Sequence, residues 1–451
     1  MRKFVFIAML FLAANSVVGQ ATPPKVYMEN YRKVMERTDW WRNDRFGMFI
    51  HFGPYAVPAR GEWVRYTDSI TNEQYQKYVD AFNPIDFNAK EWAKLAKAAG
   101  MKYAVFTTKH HDGFCMYDTK LTHYKITNQF NGRDLVREFL EAFRAEGIKV
   151  GLYYSITDWY HADFPNIGNH PLRNNKAYGQ KKRNWDNYLK YMHGQVEELM
   201  KNYGKIDVLW FDAGMKDLKG EDWKGRELVA LVRKYQPDII MNNRLQINDA
   251  DIEAGKTILT VDDFDTPEQK IPDAALTDKY GNTLPWESCM TLNRSWGYSS
   301  NDDNWKSPEL IIHSLVNCVS KDGNLMINVG PDARGNIPPK SVEILTEVGK
   351  WMKNNSESIY GCGSSKLSKP EWGRFTQKGN NIYAHWMYPA LSPLPVKDFS
   401  QKVKIITQLS TGSDIWFRNA KGSLLIDVDE YNHGILKTLD KYDNVLKVVV
   451  E

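Results

Sequence analysis

The chain has 451 residues, 42% of them hydrophobic and 25% charged, so it is long enough for one large globular domain and a smaller one. Its net charge is only +4 and its basic residues form no concentrated stripe, which argues against a nucleic-acid-binding protein. The sequence has no interior run of 18 apolar residues, so it predicts no membrane span. It gives no indication of the oligomeric state.

The first residues have the pattern of a secretory signal. Met1, Arg2 and Lys3 form a basic start, an apolar stretch follows over residues 4–14, and small residues lead to Gly19. We therefore predict residues 1–19 to be a cleavable signal peptide and the protein to be secreted or periplasmic. Export permits disulfides, but the four cysteines lie far apart and have no metal-ligand spacing. Buried free thiols are favoured, and pairing stays open.

Short apolar runs alternate with helical patterns from residue 48 to residue 329. The predicted strands are Met48–Ile50, Tyr103–Phe106, Val150–Tyr153, Val208–Phe211, Ile239–Met241, Ile258–Val261 and Leu325–Val329. Between them, apolar residues three and four apart predict helices near residues 92–99, 135–143, 183–203 and 228–235. Strands that alternate with helices pair in parallel. Because no Gly-rich phosphate loop follows any of these strands, the pattern favours a (β/α)8-like barrel over an open nucleotide-binding sheet, at residues 20–357.

The pattern changes after about residue 358. Short apolar runs with Gly, Asn and Asp turns replace the alternation, and no helical pattern lies between them. The runs are Ile382–Trp386, Val403–Ile406, Asp414–Phe417, Leu424–Val428 and Leu446–Val450. This arrangement predicts a C-terminal antiparallel β-sandwich domain at residues 358–451.

Polar and aromatic side chains follow the predicted barrel strands, at the strand ends where the active site of such a barrel lies. They include His51, Glu62, Trp63, His110, His111, Tyr153, Trp210, Asp212, Arg244, Glu287 and Trp296. Titratable groups and tryptophans at one end of successive strands predict a polar pocket with aromatic walls, as a sugar-binding site requires.

Two carboxylates on different strands suggest glycoside hydrolysis. One carboxylate attacks the anomeric carbon, while the other protonates the leaving oxygen and then activates water. We predict Asp212 to be the nucleophile and Glu287 to be the acid/base, with Glu62 as a competitor for the second role. The adjacent His110 and His111 lack the spacing of a zinc signature, so no metal and no other cofactor is predicted.

In these stretches the sequence resembles the family 29 glycoside hydrolases, the α-L-fucosidases. The matching motifs, in chain order, are Trp41–Gly53, Glu62-Trp63, Lys109–Phe114, Gly151–Ser155, Leu209–Asp212, Trp286–Cys289 and Ser295–Tyr298. The resemblance covers residues from about Tyr27 to Asn355. It implies a retaining exo-α-L-fucosidase that acts on a fucosylated oligosaccharide or glycoconjugate.

The resemblance also implies roles for individual residues. Asp212 matches the family nucleophile, and Glu287 matches the acid/base through its Trp-Glu-x-Cys setting. The residues that match the fucose-holding positions are His51, Glu62, Trp63, His110, His111, Tyr153, Trp210 and Arg244, and Trp296 is expected to form a wall of the same pocket.

Two departures leave the linkage preference open: Pro285 precedes the Trp-Glu motif, and the stretch between Asp212 and Glu287 is long. One alternative is a glycosidase of the same fold that acts on an L-galactose-like sugar. Another is a catalytically silent fucose-binding, lectin-like protein, although the intact carboxylates argue against it.

Overall fold

A computed structural model describes residues 22–212, 218–247, 262–428 and 439–451. The predicted signal peptide at residues 1–19 and the predicted strand Ile258–Val261 lie outside these residues. In the described part of the chain, no helix combines the length and apolar character that crossing a bilayer requires.

Within the described residues, seven strands form one parallel sheet in the order β5-β4-β3-β2-β1-β7-β6. Their bounds are β1 Phe46–Ile50, β2 Tyr103–Lys109, β3 Lys149–Ser155, β4 Val208–Asp212, β5 Ile240–Met241, β6 Glu287–Thr291 and β7 Asn324–Val329. Six of them contain or overlap predicted strands. The strand β6 was missed, because its sequence Glu-Ser-Cys-Met-Thr has no apolar run.

The segment 264–268 lies between the two edge strands of this sheet. Phe264 makes a parallel bridge to Asn242, just beyond β5, and Glu268 makes another to Cys289 in β6. The sheet therefore curls into a barrel in which this segment takes the place of an eighth strand. The predicted (β/α)8-like fold is confirmed.

Helices connect the strands and cover the outer face of the barrel. They are α1 Lys25–Asp44, α2 Val64–Thr67, α3 Asn72–Ala81, α4 Ala89–Ala98, α5 Ile126–Gln129, α6 Leu135–Ala145, α7 Lys176–Gly179, α8 Trp185–Asn202, α9 Gly225–Tyr235, α10 Pro308–Val319 and α11 Pro339–Asn355. The side chains of Asn88, Asp134 and Asn184 accept backbone N–H groups at the starts of α4, α6 and α8, which fixes where these helices begin. The four predicted helices are confirmed.

Alternate residues of each strand point to opposite faces of the sheet. One set, which includes Phe49, Tyr153 and Trp210, forms a buried cluster inside the barrel. The other set packs against the helices. His51 and Asp212 each lie two residues beyond an inward-facing residue, Phe49 or Trp210, at the C-terminal ends of β1 and β4. Both therefore lie above the barrel interior.

The C-terminal part is antiparallel and has its own buried core. One sheet has the order β12-β15-β10-β9-β8 and the other β11-β14-β13, with bounds β8 Gly363–Ser364, β9 Gly373–Lys378, β10 Asn381–Trp386, β11 Leu394–Val396, β12 Val403–Gln408, β13 Phe417–Ala420, β14 Ser423–Ile426 and β15 Asn444–Val450. The indole N–H of Trp351 in α11 donates to the carbonyl of Asp443 at 3.0 Å and joins this part to the barrel. The predicted antiparallel fold is confirmed, while the boundary at residue 358 stays a prediction.

Candidate active site

A pocket lies at the C-terminal ends of the parallel strands. Its lining comprises Phe49, His51, Trp63, His110, His111, Tyr153, Trp210, Asp212, Arg244, Glu268 and Trp296. All the residues predicted to hold the sugar belong to this lining except Glu62, and Asp212 belongs to it as well. Glu268 is a second carboxylate in the pocket that the sequence did not indicate. Glu287 is not among the lining residues.

Asp212 carries the carboxylate at the centre of the site. Its Oδ2 accepts a hydrogen bond from the hydroxyl of Tyr153 at 2.9 Å and lies 3.5 Å from Nε2 of His111. Its Oδ1 lies 3.5 Å from Nη1 of Arg244. The side chain is only 18% exposed, so these groups fix its orientation while one side stays open to the pocket.

Arg244 joins Asp212 to Glu268. Its Nη2 donates to Oε2 of Glu268 at 3.0 Å, while Nη1 faces Asp212. Its Nε donates to the hydroxyl of Thr266 at 2.9 Å, and its guanidinium lies 4.9 Å from the ring centre of Trp210. One cation therefore contacts two carboxylates through different nitrogens of its planar fork, a geometry that lysine could not reproduce.

Glu268 differs from Asp212 in exposure. Its side chain is 43% exposed, so it lies at the solvent side of the pocket, where a leaving group would depart. It belongs to the segment 264–268, which replaces a barrel strand and has the polar sequence Phe-Asp-Thr-Pro-Glu. Because this segment shows no strand periodicity, only the three-dimensional structure reveals that Glu268 reaches the pocket.

Three histidines form one side of the pocket as neutral imidazoles. Burial lowers the pKa of His51 to about 4, and burial likewise lowers the pKa values of His110 and His111. At neutral pH these rings carry no charge, so they offer directional hydrogen bonds to hydroxyl groups. This agrees with the sugar-binding role that the sequence predicts for them.

Aromatic rings complete the walls. The ring of Trp296 lies 5.1 Å from that of His51 and 5.8 Å from that of Phe49. On the other side, the ring of Trp63 lies 5.2 Å from that of His111. Rings on two sides of a polar floor provide apolar surface for the C–H faces of a sugar.

Glu62 lies behind the pocket. Its Oε2 accepts the backbone N–H of Gly297 at 2.7 Å, and the residue is 4% exposed. Burial raises its pKa to about 7, although the hydrogen bond from Gly297 opposes this shift. In this position Glu62 holds the loop that carries Trp296, and it does not line the pocket.

Glu287 lies at the opposite end of the barrel from Asp212. It begins β6 and pairs with Asn324, the first residue of β7, and its carboxyl accepts the hydroxyl of Tyr103, the first residue of β2. Asp212, in contrast, ends β4. In a parallel barrel these positions are separated by the length of the strands, which does not fit the acid/base role predicted for Glu287.

The protonation of Glu287 should instead make the stability of the protein depend on pH. Burial raises its pKa to about 7, whereas the Tyr103 hydrogen bond opposes the shift. Between pH 4.5 and 7 the folded state holds a proton that the unfolded state has lost, so the free energy of unfolding falls as pH rises. We expect Glu287→Gln to remove this dependence. The difference in the free energy of unfolding between wild type and variant should therefore change by roughly 3 kcal/mol between pH 4.5 and pH 7.

Urea unfolding of both proteins at several pH values measures this difference. Glu62 has a similarly raised pKa and is unchanged in both proteins, so its contribution cancels. A difference that stays constant with pH would contradict a protonated Glu287 in the barrel interior.

All four cysteines are buried free thiols. In the described ranges, no group of three or more His, Cys, Asp or Glu side chains is arranged to hold a metal ion.

Comparison with known proteins gives a consistent result. The family model described as Alpha-L-fucosidase matches residues 13–357 of the chain. Among curated proteins, the chain is 31% identical to the tissue alpha-L-fucosidase of Homo sapiens over 421 residues, which cover 85% of this chain and 83% of that protein.

Solved structures agree in fold. The alpha-L-fucosidase isoenzyme 1 of Paenibacillus thiaminolyticus superposes with a TM-score of 0.87 at 46% identity, covering 93% of this chain and all of that one. An alpha-L-fucosidase of family GH29 from Bacteroides thetaiotaomicron, solved as a trapped covalent intermediate with 2-fluoro-fucosyl fluoride, superposes with a TM-score of 0.78 at 27% identity. That alignment covers 92% of this chain and 96% of the Bacteroides chain.

Proposed function

The chain belongs to the α-L-fucosidase family of glycoside hydrolases, and from this premise we propose that it removes terminal L-fucose from fucosylated glycans by double displacement. In this proposal Asp212 is the nucleophile and Glu268, rather than Glu287, is the acid/base. The observation that carries the assignment is the pairing of both pocket carboxylates with one guanidinium, that of Arg244.

In the first step the Asp212 carboxylate attacks the anomeric carbon of the bound fucoside. The bond between that carbon and the glycosidic oxygen breaks, and Glu268 in its protonated form gives its proton to the departing oxygen. Tyr153 and Arg244 hold the attacking carboxylate in place, so little reorientation is needed when the covalent bond forms.

In the second step Glu268 acts as a base. It takes a proton from a water molecule, whose oxygen attacks the anomeric carbon and displaces Asp212 as a free carboxylate. Two inversions at one carbon retain the α configuration. The 43% exposure of the Glu268 side chain fits this step, because water must reach it after the first product leaves.

Hydrolysis of 4-nitrophenyl α-L-fucoside, followed by NMR, tests the function. We expect release of nitrophenol and first formation of α-L-fucose, which later mutarotates. First appearance of the β anomer would exclude double displacement. No hydrolysis of the aryl fucoside or of branched fucosylated oligosaccharides would favour a lectin-like protein instead.

We also propose that the protein is exported. The basic start, the apolar stretch and the small residues before Gly19 support this, since together they form a signal-peptide pattern. A secreted or periplasmic enzyme would meet glycans outside the cytoplasm.

A further inference from the structure

Two of the pocket histidines each contact a polar side chain through Nδ1. For His51 this side chain is Asn328, whose Oδ1 lies 2.7 Å from the ring nitrogen. The amide nitrogen of Asn328 lies 2.7 Å from the carbonyl oxygen of Trp296. A carbonyl oxygen can only accept, so the amide NH2 must face Trp296 and the amide oxygen must face His51. The contact to His51 therefore needs a proton on Nδ1.

The proton on His111 is fixed in the same way. Its Nδ1 lies 2.6 Å from the hydroxyl oxygen of Ser155, and that oxygen lies 2.6 Å from the carbonyl oxygen of Thr157. The hydroxyl of Ser155 has one proton, and the Thr157 carbonyl can only accept it. The hydroxyl oxygen is therefore an acceptor towards His111, and Nδ1 of His111 must carry the proton.

We propose that Asn328 and Ser155 are positioning residues that hold His51 and His111 in the Nδ1-protonated tautomer, so that both rings present an unprotonated Nε2 to the substrate. This inference rests on the proposed function, since it specifies how the sugar is recognised. Two acceptor nitrogens on one pocket wall select a ligand with hydroxyl groups directed at that wall and disfavour an analogue that lacks either hydroxyl.

Asp212 lies next to the unprotonated nitrogen of His111 in this arrangement. Its Oδ2 lies 3.5 Å from Nε2 of His111, and this oxygen already accepts the hydroxyl of Tyr153. With Nδ1 protonated, His111 does not donate to the carboxylate, which keeps that face of Asp212 for the substrate. With the other tautomer, Nε2–H would donate to the nucleophile, so the hydrogen bond from Nδ1 to Ser155 is what keeps the proton away from Asp212.

His110 differs from its two neighbours. Its Nδ1 is buried and has no hydrogen-bond partner among the described residues. Among the three pocket histidines, a hydrogen bond at Nδ1 therefore fixes the tautomer of His51 and of His111 but not that of His110.

Long-range proton–nitrogen NMR of the enzyme labelled with ¹⁵N-histidine reads the tautomers directly. Signals of His51 and His111 are identified by their loss in His51→Gln and His111→Gln. We expect both rings to show a protonated Nδ1 and an unprotonated Nε2 at pH 7 without substrate. A protonated Nε2 in either ring would overturn the assignment for that ring. This readout needs no catalysis, so it stands apart from a failure of the proposed function.

Kinetics on 4-nitrophenyl α-L-fucoside test the role of Ser155. In Ser155→Ala the buried Nδ1–H of His111 loses its acceptor, and we expect the ring to change tautomer and kcat/KM to fall about tenfold or more. Ser288→Ala is the matched control, because the buried Ser288 also donates to a backbone carbonyl, that of Lys270, but contacts no histidine in the described part of the chain. Equal kinetics in the two variants would overturn the role of Ser155.

Asn328→Asp tests the other ring through pH. A carboxylate beside Nδ1 would raise the pKa of His51, and the resulting imidazolium cannot accept at Nε2. The titratable groups facing His51 from the other strands, Asp212, His110, His111 and Tyr153, stay unchanged.

We expect kcat/KM of Asn328→Asp to fall about tenfold per pH unit below the new pKa of His51. The control is Asn324→Asp on the same strand, where the amide donates to the carbonyl of Trp41 instead of facing a histidine. Thermal unfolding of both variants measures any loss of stability, so that this loss can be separated from an effect on activity. If kcat/KM of Asn328→Asp and of the wild type fell at the same pH on the acid side of the profile, the role of Asn328 would be overturned.

Discussion

Replacing Asp212 by alanine is expected to lower kcat for 4-nitrophenyl α-L-fucoside by at least about 10⁴-fold, the range seen when the nucleophile of a covalent mechanism is removed. The variant keeps Tyr153, Arg244 and the three histidines, so fucose should still bind. KM should change far less than kcat, because the lost interaction is made in the transition state.

Azide distinguishes a lost nucleophile from a damaged site. In Asp212→Ala the removed side chain leaves room beside the anomeric carbon, and azide can attack there in a single displacement. The expected product is β-L-fucosyl azide, which NMR identifies. Hydrolysis close to the wild-type rate in this variant would contradict the nucleophile assignment.

Asp207→Asn is the matched control. Asp207 directly precedes β4, and its carboxylate accepts the backbone N–H of Val150 at 2.9 Å. It lies on the same chain segment as Asp212 but at the other end of the strand. We expect this variant to lose some stability and to keep its kcat.

The sequence predicted the barrel well because strands of a parallel barrel are buried on both faces and therefore have apolar sequences. β4, with Val-Leu-Trp-Phe before Asp212, is an example. The pocket histidines and Trp210 were found for the same reason: each follows or belongs to a recognisable strand. The missed strand β6 carries Glu287, Ser288 and Thr291, and it is buried although three of its five residues are polar.

The second carboxylate could not be placed from sequence, because its position depends on tertiary structure alone. Glu287 lies in a distinctive motif, yet the register of β6 puts it at the N-terminal end of the barrel. Glu268 lies in a polar segment without periodicity, and the bridges to Asn242 and Cys289 at the two edge strands bring that segment to the pocket. The sequence motif thus indicates Glu287 as the acid/base, whereas the position in the fold indicates Glu268.

Glu268→Gln and Glu287→Gln separate these two possibilities. We expect Glu268→Gln to lower kcat by about 10²–10⁴-fold, the usual contribution of general acid–base catalysis. The loss should be larger for a fucosylated oligosaccharide than for the aryl fucoside, because a sugar alkoxide needs protonation to leave and 4-nitrophenolate needs little. Glu287→Gln keeps the hydrogen-bonding shape in the barrel interior, so both substrates should be affected equally and weakly.

The stereochemistry of azide rescue distinguishes the two carboxylates from each other. In Glu268→Ala the covalent intermediate still forms on Asp212, and azide attacks it without needing a base. This second inversion gives α-L-fucosyl azide, the opposite anomer from that expected with Asp212→Ala. Azide should not accelerate Glu287→Gln, whose substitution lies at the far end of the barrel from the pocket. Formation of α-L-fucosyl azide by a Glu287 variant, with none from Glu268→Ala, would restore the acid/base role to Glu287, because only the residue that assists the leaving group and activates water produces this pattern.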